Sequence, residues 1–334
     1  MSKTITPKYI IDLYQTTKTK SSLLRDEANG LIPKASRENR GENKVRVWNT
    51  KDLPKIGGLY GSLKKPTNCK VLAIYTAKGG VLKTTLAYNL SRYLALNNIS
   101  VLVIGMDVQC SITDLLNSTL ENDAPALDDI IEMPGLYEFT CEKTNNKETL
   151  KKYIKQTDLE TLDYIPENIS LNLLDQKIKD SQKREFFIDR LIEPLKKDYD
   201  VIIFDNAPNW SFLIQNSLAA ATDVISPVGC DIGTYRSINQ NIGMINSYKE
   251  NMELDWASYT IVPTLLERTN ISKNMEAKYR VDYSPIITSG AIRRAVKGQE
   301  SVLENISVIE ADPTSSLAGD YFDVISSIWK KING

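Results

Sequence analysis

One stretch constrains this chain more than any other: the apolar run KVLAIYT (70–76), the loop AKGGVLKTT (77–85) and the apolar periodicity of LAYNLSRYLAL that follows. The pattern predicts a strand, a tight loop and a helix. Glycines let the backbone approach an anion, and the first N–H groups of a helix lack intrahelical partners and point at it. In such a loop Lys83 neutralises β- and γ-phosphates and Thr84 offers its hydroxyl to Mg2+. The strict G-x-x-x-x-G-K-[ST] pattern fails at Ala77 and Leu82. The loop alone therefore leaves open a chance Lys-Gly-Gly turn at a solvated helix start.

The rest of the chain supports the phosphate loop. Further β-branched runs stand at 100–106, 200–205, 222–228, 259–264 and 284–288, with helical patterns near 83–97 and 182–196. Continuous rather than alternating apolar runs belong to strands buried on both faces, as in a parallel sheet covered by helices. Region 117–180, rich in Glu, Asp, Asn and Lys, shows no clear pattern and is expected to carry insertions or peripheral helices. Asp107 and Asp205 end two of the strands, at the edge where open α/β sheets bind ligands. Alone, each is an ordinary strand-end cap; with the loop they form an NTPase constellation. The chain has no histidine, which excludes Ser-His-Asp and Cys-His nucleophiles. Cysteines 69, 110, 141 and 230 lack paired ligand spacing and are expected to be reduced thiols. No run approaches the ~20 apolar residues of a membrane span, and a cytoplasmic location is expected.

Charge divides the chain unevenly. Residues 1–68 hold ten Lys and four Arg against three Asp and three Glu, a net of +8, leaving −9 for the remainder. A small basic segment on an acidic body is the footprint of a nucleic-acid-binding module. TPKYIIDLYQ (6–15) and TKSSLLRDEANG (19–30) predict two short helices, the second closed by Gly30; extended runs follow around an Arg-Gly turn, with a capped helix start at 49–57. The expected organisation is a winged helix-turn-helix unit at 1–56, a Gly- and Lys-containing linker at 57–68 and an ATPase domain at 69–334. Lys20, Ser21, Ser22 and Arg25 on the second helix, with Arg37, Arg40, Lys44 and Arg46 in the wing, are the candidate DNA contacts. The bland alternative is a solvated basic face.

On these residues the body resembles the ParA/MinD family of deviant Walker-A ATPases, and within it the ParA-type partition proteins. The family loop x-K-G-G-x-x-K-[ST] is matched by Ala77 to Thr84. GMDVQCS (105–111) is similar to its D-x-D-P-Q-G element and DNAPNW (205–210) to its D-x-P-P element. PTLLERTNIS (263–272) and EADPTSSLAGDYFDVI (310–325) extend the likeness through most of 70–330. LLRDEANGLIPKA (23–35) and KVRVWNTKDLPKI (44–56) resemble the DNA-binding unit of MerR-type regulators.

The resemblance implies an α/β P-loop NTPase fold, a mostly parallel twisted sheet with helices on both faces, preceded by the small winged unit. It implies ATP and Mg2+ held by Lys78, Gly79, Gly80, Val81, Leu82, Lys83, Thr84 and Thr85. In that scheme Lys78 reaches across a homodimer to the partner's phosphates, Asp107 orients the attacking water and Asp205 acts on Mg2+ through water. DNA, a centromere-binding ParB-type protein and a second copy are the implied partners, with body contacts to DNA from Lys273, Lys278, Arg280, Arg293, Arg294 and Lys297. Three departures stand out: Leu82 where the loop usually has Gly, Gly105 at the first Asp of D-x-D, and Ala207 in place of a proline. Leu82 implies altered affinity or slow hydrolysis. The alternative is a transcriptional regulator whose NTPase fold senses nucleotide. A membrane-associated switch is disfavoured, because the stripe at 321, 325, 328 and 332 suits a core.

Overall fold

Thr6 accepts the Tyr9 N–H at 3.3 Å and Pro7 has no N–H to satisfy, so helix α1 (Pro7–Leu13) begins there. Thr19 caps α2 (Lys20–Ala28) in the same way through Ser22, and Gly30 follows in the left-handed region that suits a residue past a helix end. Strands β1 (Ser36–Arg40) and β2 (Asn43–Val47) pair antiparallel, and α3 (Leu53–Tyr60) comes next. The computed structural model describes residues 5–40, 43–117, 133–144, 146–295 and 306–334.

The body alternates strands and helices: β3 (Lys70–Ile74), α4 (Lys83–Leu96), β4 (Val101–Met106), α5 (Ser111–Asn117), β5 (Lys155–Gln156), β6 (Leu162–Ile165) and α6 (Leu171–Lys179). After these come β7 (Val201–Asn206), α7 (Phe212–Ala220), β8 (Asp223–Gly229), α8 (Ile232–Asn251), β9 (Ser258–Thr264), α9 (Asn270–Asp282) and α10 (Ser316–Asn333). The sheet runs β5-β6-β4-β7-β3-β8-β9, parallel throughout except for the short β5. Neighbouring residues along β3 serve opposite cores: Leu72 and Ile74 face one cluster, Val71 and Ala73 the other. Helices on both faces are thus the cause of the unbroken apolar runs.

Two expected elements differ. Residues 284–288 form no strand, only a bridge from Ile287 to Ile261, since Pro285 has no N–H to give a ladder. The 182–196 helix is shorter, Phe187–Ile192 between 3-10 turns, with Pro194 in the last. The C-terminal stripe Tyr321, Ile325, Ile328 and Ile332 is buried in the core, and among the described residues no helix is long and apolar enough to cross a membrane.

The N-terminal elements share that core. Ile10, Leu13, Tyr14, Leu53 and Ile56 lie in one cluster with Leu90, Leu94 and Ile325. The Tyr14 hydroxyl donates to the Leu53 carbonyl at 2.6 Å and lies 3.2 Å from that of Leu96; the Tyr9 hydroxyl donates to the Glu310 carbonyl at 2.8 Å. Gly57 and Gly58, expected to open a linker, lie inside α3. A Cβ on Gly57 would stand 1.8 Å from the Leu96 carbonyl oxygen, so glycine here serves close packing rather than a flexible joint.

Candidate nucleotide-hydrolysing site

The carboxyl ends of β3, β4 and β7 gather the residues that the sequence singled out. The loop after β3 turns at Gly80 (φ 72°) and again at Leu82 (φ 66°, ψ 32°), which caps α4. Leu82 therefore holds a left-handed conformation normally left to glycine, at a cost of about 1–2 kcal/mol. Its side chain packs against the core, which offsets part of that cost. A Cβ at Gly79 or Gly80 would meet nothing within 4 Å, so the loop backbone faces open space. Lys78 is exposed; its carbonyl accepts a 2.9 Å hydrogen bond from Lys83 Nζ. Val81 is buried, and its carbonyl accepts from the Thr264 hydroxyl at 3.1 Å. Thr84 and Thr85 occupy the first turn of α4, half-buried.

Lys83 is 8% exposed and Asp205 1%. Burial pushes the Lys83 ammonium below its ordinary value, while Asp205 and Asp107 pull it back up. Burial pushes the Asp205 carboxyl up to about 7, against a hydrogen bond from Thr84 and the charge of Lys83. Asp205 Oδ1 is buried with no hydrogen-bond partner. A buried oxygen without a donor costs free energy unless a ligand supplies one. A carboxylate beside a Thr hydroxyl is the hard oxygen set that Mg2+ and its water shell take, so these residues fit that ion.

Asp107 is half-buried at the end of β4, its Oδ1 accepting the Gln109 N–H at 3.1 Å. A cavity of ≈ 630 Å³ lined by Asp107, Gln109, Asp175, Pro208 and Leu213, among others, adjoins it. Its loop bends through Cys110 (φ 56°). Sequence reasoning passed over Glu167, which is fully buried and accepts the backbone N–H of Asp107 at 3.2 Å. Burial and the charge of Asp205 hold its carboxyl well above the usual range. Its only sequence signal was a charge two residues past a short strand, inside the region without a clear pattern.

The candidate DNA residues fall elsewhere. Lys20, Ser21 and Arg25 are exposed on α2, and Ser22 binds the Thr19 carbonyl through its hydroxyl at 2.7 Å. Arg37 and Lys44 are exposed on the hairpin and Arg40 ends β1, but Arg46 is paired with Glu27 at 3.1 Å. On the body, Lys273 and Lys278 are exposed along α9, whereas Arg280, Arg293 and Arg294 pair with Glu276, Asp320 and Glu267. Lys297 lies outside the described residues.

A family model described as an AAA domain matches residues 69–256. The chain is 26% identical over 260 residues to the sporulation initiation inhibitor protein Soj of Bacillus subtilis, covering 78% of this chain and 98% of Soj. It is 25% identical over 232 residues to the chromosome partitioning protein ParA of Myxococcus xanthus, covering 69% and 77%. A solved cobyrinic acid a,c-diamide synthase of Mycobacterium smegmatis, with bound ATP analog and magnesium, matches with a TM-score of 0.58 and 26% identity over 71% of this chain and 92% of that one. With a model spanning more than half its length and a phosphate loop built to match, the chain belongs to the AAA domain family, as a P-loop ATPase of the ParA type.

Proposed function

We propose that this protein is a partition ATPase that binds ATP and Mg2+, dimerises around the nucleotide and holds DNA in that state. One observation carries the reading: a phosphate loop with two lysines faces a buried Asp205 oxygen that has no donor of its own. In this reading Lys83 and the N–H groups of Gly79 to Thr85 bind the phosphates. Thr84 and, through water, Asp205 hold Mg2+, which when bound neutralises charge on the phosphate oxygens. Asp107 holds the attacking water. Lys78, exposed at the loop, reaches the phosphates of a second copy. The names of the relatives and the magnesium and ATP analog of the solved neighbour support the cofactors and the partition role.

The N-terminal unit is the second part of the proposal. A capped helix pair, an antiparallel hairpin and a third helix have the order of a winged helix-turn-helix, and Lys20, Ser21 and Arg25 are turned to solvent on its second helix. This supports specific DNA reading and repression of the protein's own operon, with a ParB-type protein stimulating hydrolysis in a cytoplasmic, nucleoid-associated setting. Leu82 favours one further reading, a regulator with slow turnover, since its strained backbone sits at the phosphate cradle. Sedimentation with Mg-ATP tests the core of the proposal. Wild type shifts to a dimer while Lys78→Ala binds ATP and stays monomeric; equal dimer populations would defeat the sandwich. Footprinting upstream of the gene, with and without ATP, tests the DNA half.

A further inference from the structure

Gly105 has a structural cause that lies on the next strand. β4 runs between β6 and β7, with Gly105 in register with Asp205 on one side and Ile104 with Ile165 on the other. Two residues beyond Ile165 the chain reaches Glu167. A Cβ built on Gly105 would stand 2.2 Å from Glu167 Oε2 and 2.6 Å from Cδ. The φ of Gly105 is not positive, so glycine is required by the carboxylate that fills its side-chain space and not by the backbone angle.

That carboxylate is fully committed to one segment. Oε2 accepts the Asp107 N–H at 3.2 Å, and Oε1 accepts the Ile112 N–H at 2.9 Å, with the Thr113 N–H at 3.5 Å. In return Thr113 Oγ1 accepts the Glu167 N–H at 2.9 Å and the Cys110 thiol meets the Glu167 carbonyl at 3.3 Å. Every bond fixes the turn from Asp107 to Thr113, which swings out of β4 through the left-handed Cys110. Where the D-x-D pattern places a carboxylate on β4 itself, this chain has a glycine, and a carboxylate arrives from the neighbouring strand.

We propose that Glu167 is a positioning residue for hydrolysis: its carboxylate takes the place of a side chain at Gly105 and, by gripping the backbone of Asp107, aims that residue at the attacking water. The inference rests on the reading of Asp107 as the water-orienting residue. Glu167 is fully buried and its carboxylate bonds the backbone of Asp107, Ile112 and Thr113, so it acts through the turn. It differs from ordinary core support in affecting turnover more than nucleotide binding, and in being exchangeable with an Asp at 105.

The test is steady-state hydrolysis of Mg-ATP by the full chain, with kcat and KM resolved, for Glu167→Ala, Glu167→Gln, Gly105→Asp, the double variant Gly105→Asp/Glu167→Ala, and Asp107→Ala in parallel. Glu167→Ala is expected to lower kcat at least about 30-fold with KM within roughly threefold, the signature of a lost transition-state interaction. Glu167→Gln keeps the volume but sets an amide NH2 against a backbone N–H, and is expected to lower kcat roughly 3- to 10-fold, which keeps the test valid if the alanine variant does not fold. Gly105→Asp alone crowds two carboxylates and loses turnover; joined to Glu167→Ala it recovers to within about tenfold of wild type, the non-additivity expected of groups sharing one space. If Asp107→Ala loses turnover while both Glu167 variants keep wild-type kcat, or if the double variant recovers nothing, this inference alone is overturned. If Asp107→Ala keeps wild-type turnover, the reading of the site falls and this inference with it.

Discussion

The two ends of α4 lie in opposite electrostatic regimes. At its start Lys83, Asp205 and Glu167 are buried, and one Asp205 oxygen has no donor. Near its end, in the N-terminal unit, the acids Asp26 and Glu27 are matched: Asp26 accepts from the Tyr60 hydroxyl at 2.7 Å and from Lys18 at 3.4 Å, and Glu27 holds Arg46. Burial disfavours the charged forms of these groups, and in the proposed reading a phosphate and a cation complete the site. In that reading the basic surface needs nothing to complete it and would gain only screened, salt-sensitive attraction from DNA. On that proposal one end depends on a ligand and the other samples one.

Removing the charge at the first end gives the largest contrast. Lys83→Ala is expected to weaken ATP binding by about 100-fold or more, the order of a lost charge-assisted contact in a buried site, while nucleotide-free DNA binding by the full chain is expected to stay unchanged; equilibrium nucleotide titration and a DNA-binding assay without nucleotide separate the two. Asp107→Ala should leave ATP bound and lower turnover roughly 100-fold, accumulating dimer in sedimentation.

Acidity sharpens the comparison next. The Asp205 carboxyl, raised to about 7 in the fold from 3.8, gives up its proton more readily in the unfolded chain. As pH rises from about 4 to 7 the unfolded state sheds that proton first, so metal- and nucleotide-free protein loses stability across this window, by roughly 3 kcal/mol between pH 5 and 8. Asp26 and Asp198, held below their ordinary values by Tyr60 and Lys147, stabilise the fold above about 4 and lose that effect only below it. A melting-temperature series in EDTA is expected to slope downward toward pH 8, and Asp205→Asn to make that slope shallower, the raised Glu167 carboxyl contributing the remainder in the same direction. An unchanged slope would remove Asp205 as its source.

Smaller effects belong to the DNA face and the loop. Arg25→Ala is expected to relax sequence preference by about 1–3 kcal/mol, and Lys44→Ala to weaken binding evenly across sequences and lower the salt slope by about 1. Similar losses from both would erase the distinction between base reading and phosphate contact. Leu82→Gly relieves a strained backbone but gives up packing, so melting is expected to move by less than about 1 kcal/mol, while hydrolysis rises measurably.

What was legible in the sequence followed from local rules. The phosphate loop, the strands flanking it and the two strand-end aspartates each carry their own signal, because a buried parallel strand is an apolar run and a phosphate loop needs its glycines and lysine within nine residues. Glu167 escaped, since its meaning depends on a glycine 62 positions earlier and on a strand, Leu162–Ile165, too short to stand out among polar residues. Gly57 was misread for a related reason: a glycine demanded by a neighbouring carbonyl looks, in one dimension, like a glycine that loosens the chain. Leu82 was noticed as a departure, but its left-handed backbone explains why glycine is the usual choice there.

The glycine contact between α3 and α4 also has a thermodynamic consequence. Tyr14, Leu53 and Ile56 close over the same apolar interior as α4 and α10, so a cut near residue 68 would bare that interior, and the intact chain is expected to melt as one cooperative unit. A ligand that tightens one part of such a unit protects all of it. At a concentration a hundredfold above its Kd a nucleotide adds about 2.7 kcal/mol against global unfolding, and that increment is expected to slow amides around Trp48 that exchange only through global unfolding as fully as those around Lys83. Nucleotide can thus govern how long the basic unit survives heat or proteolysis without moving a single residue of it.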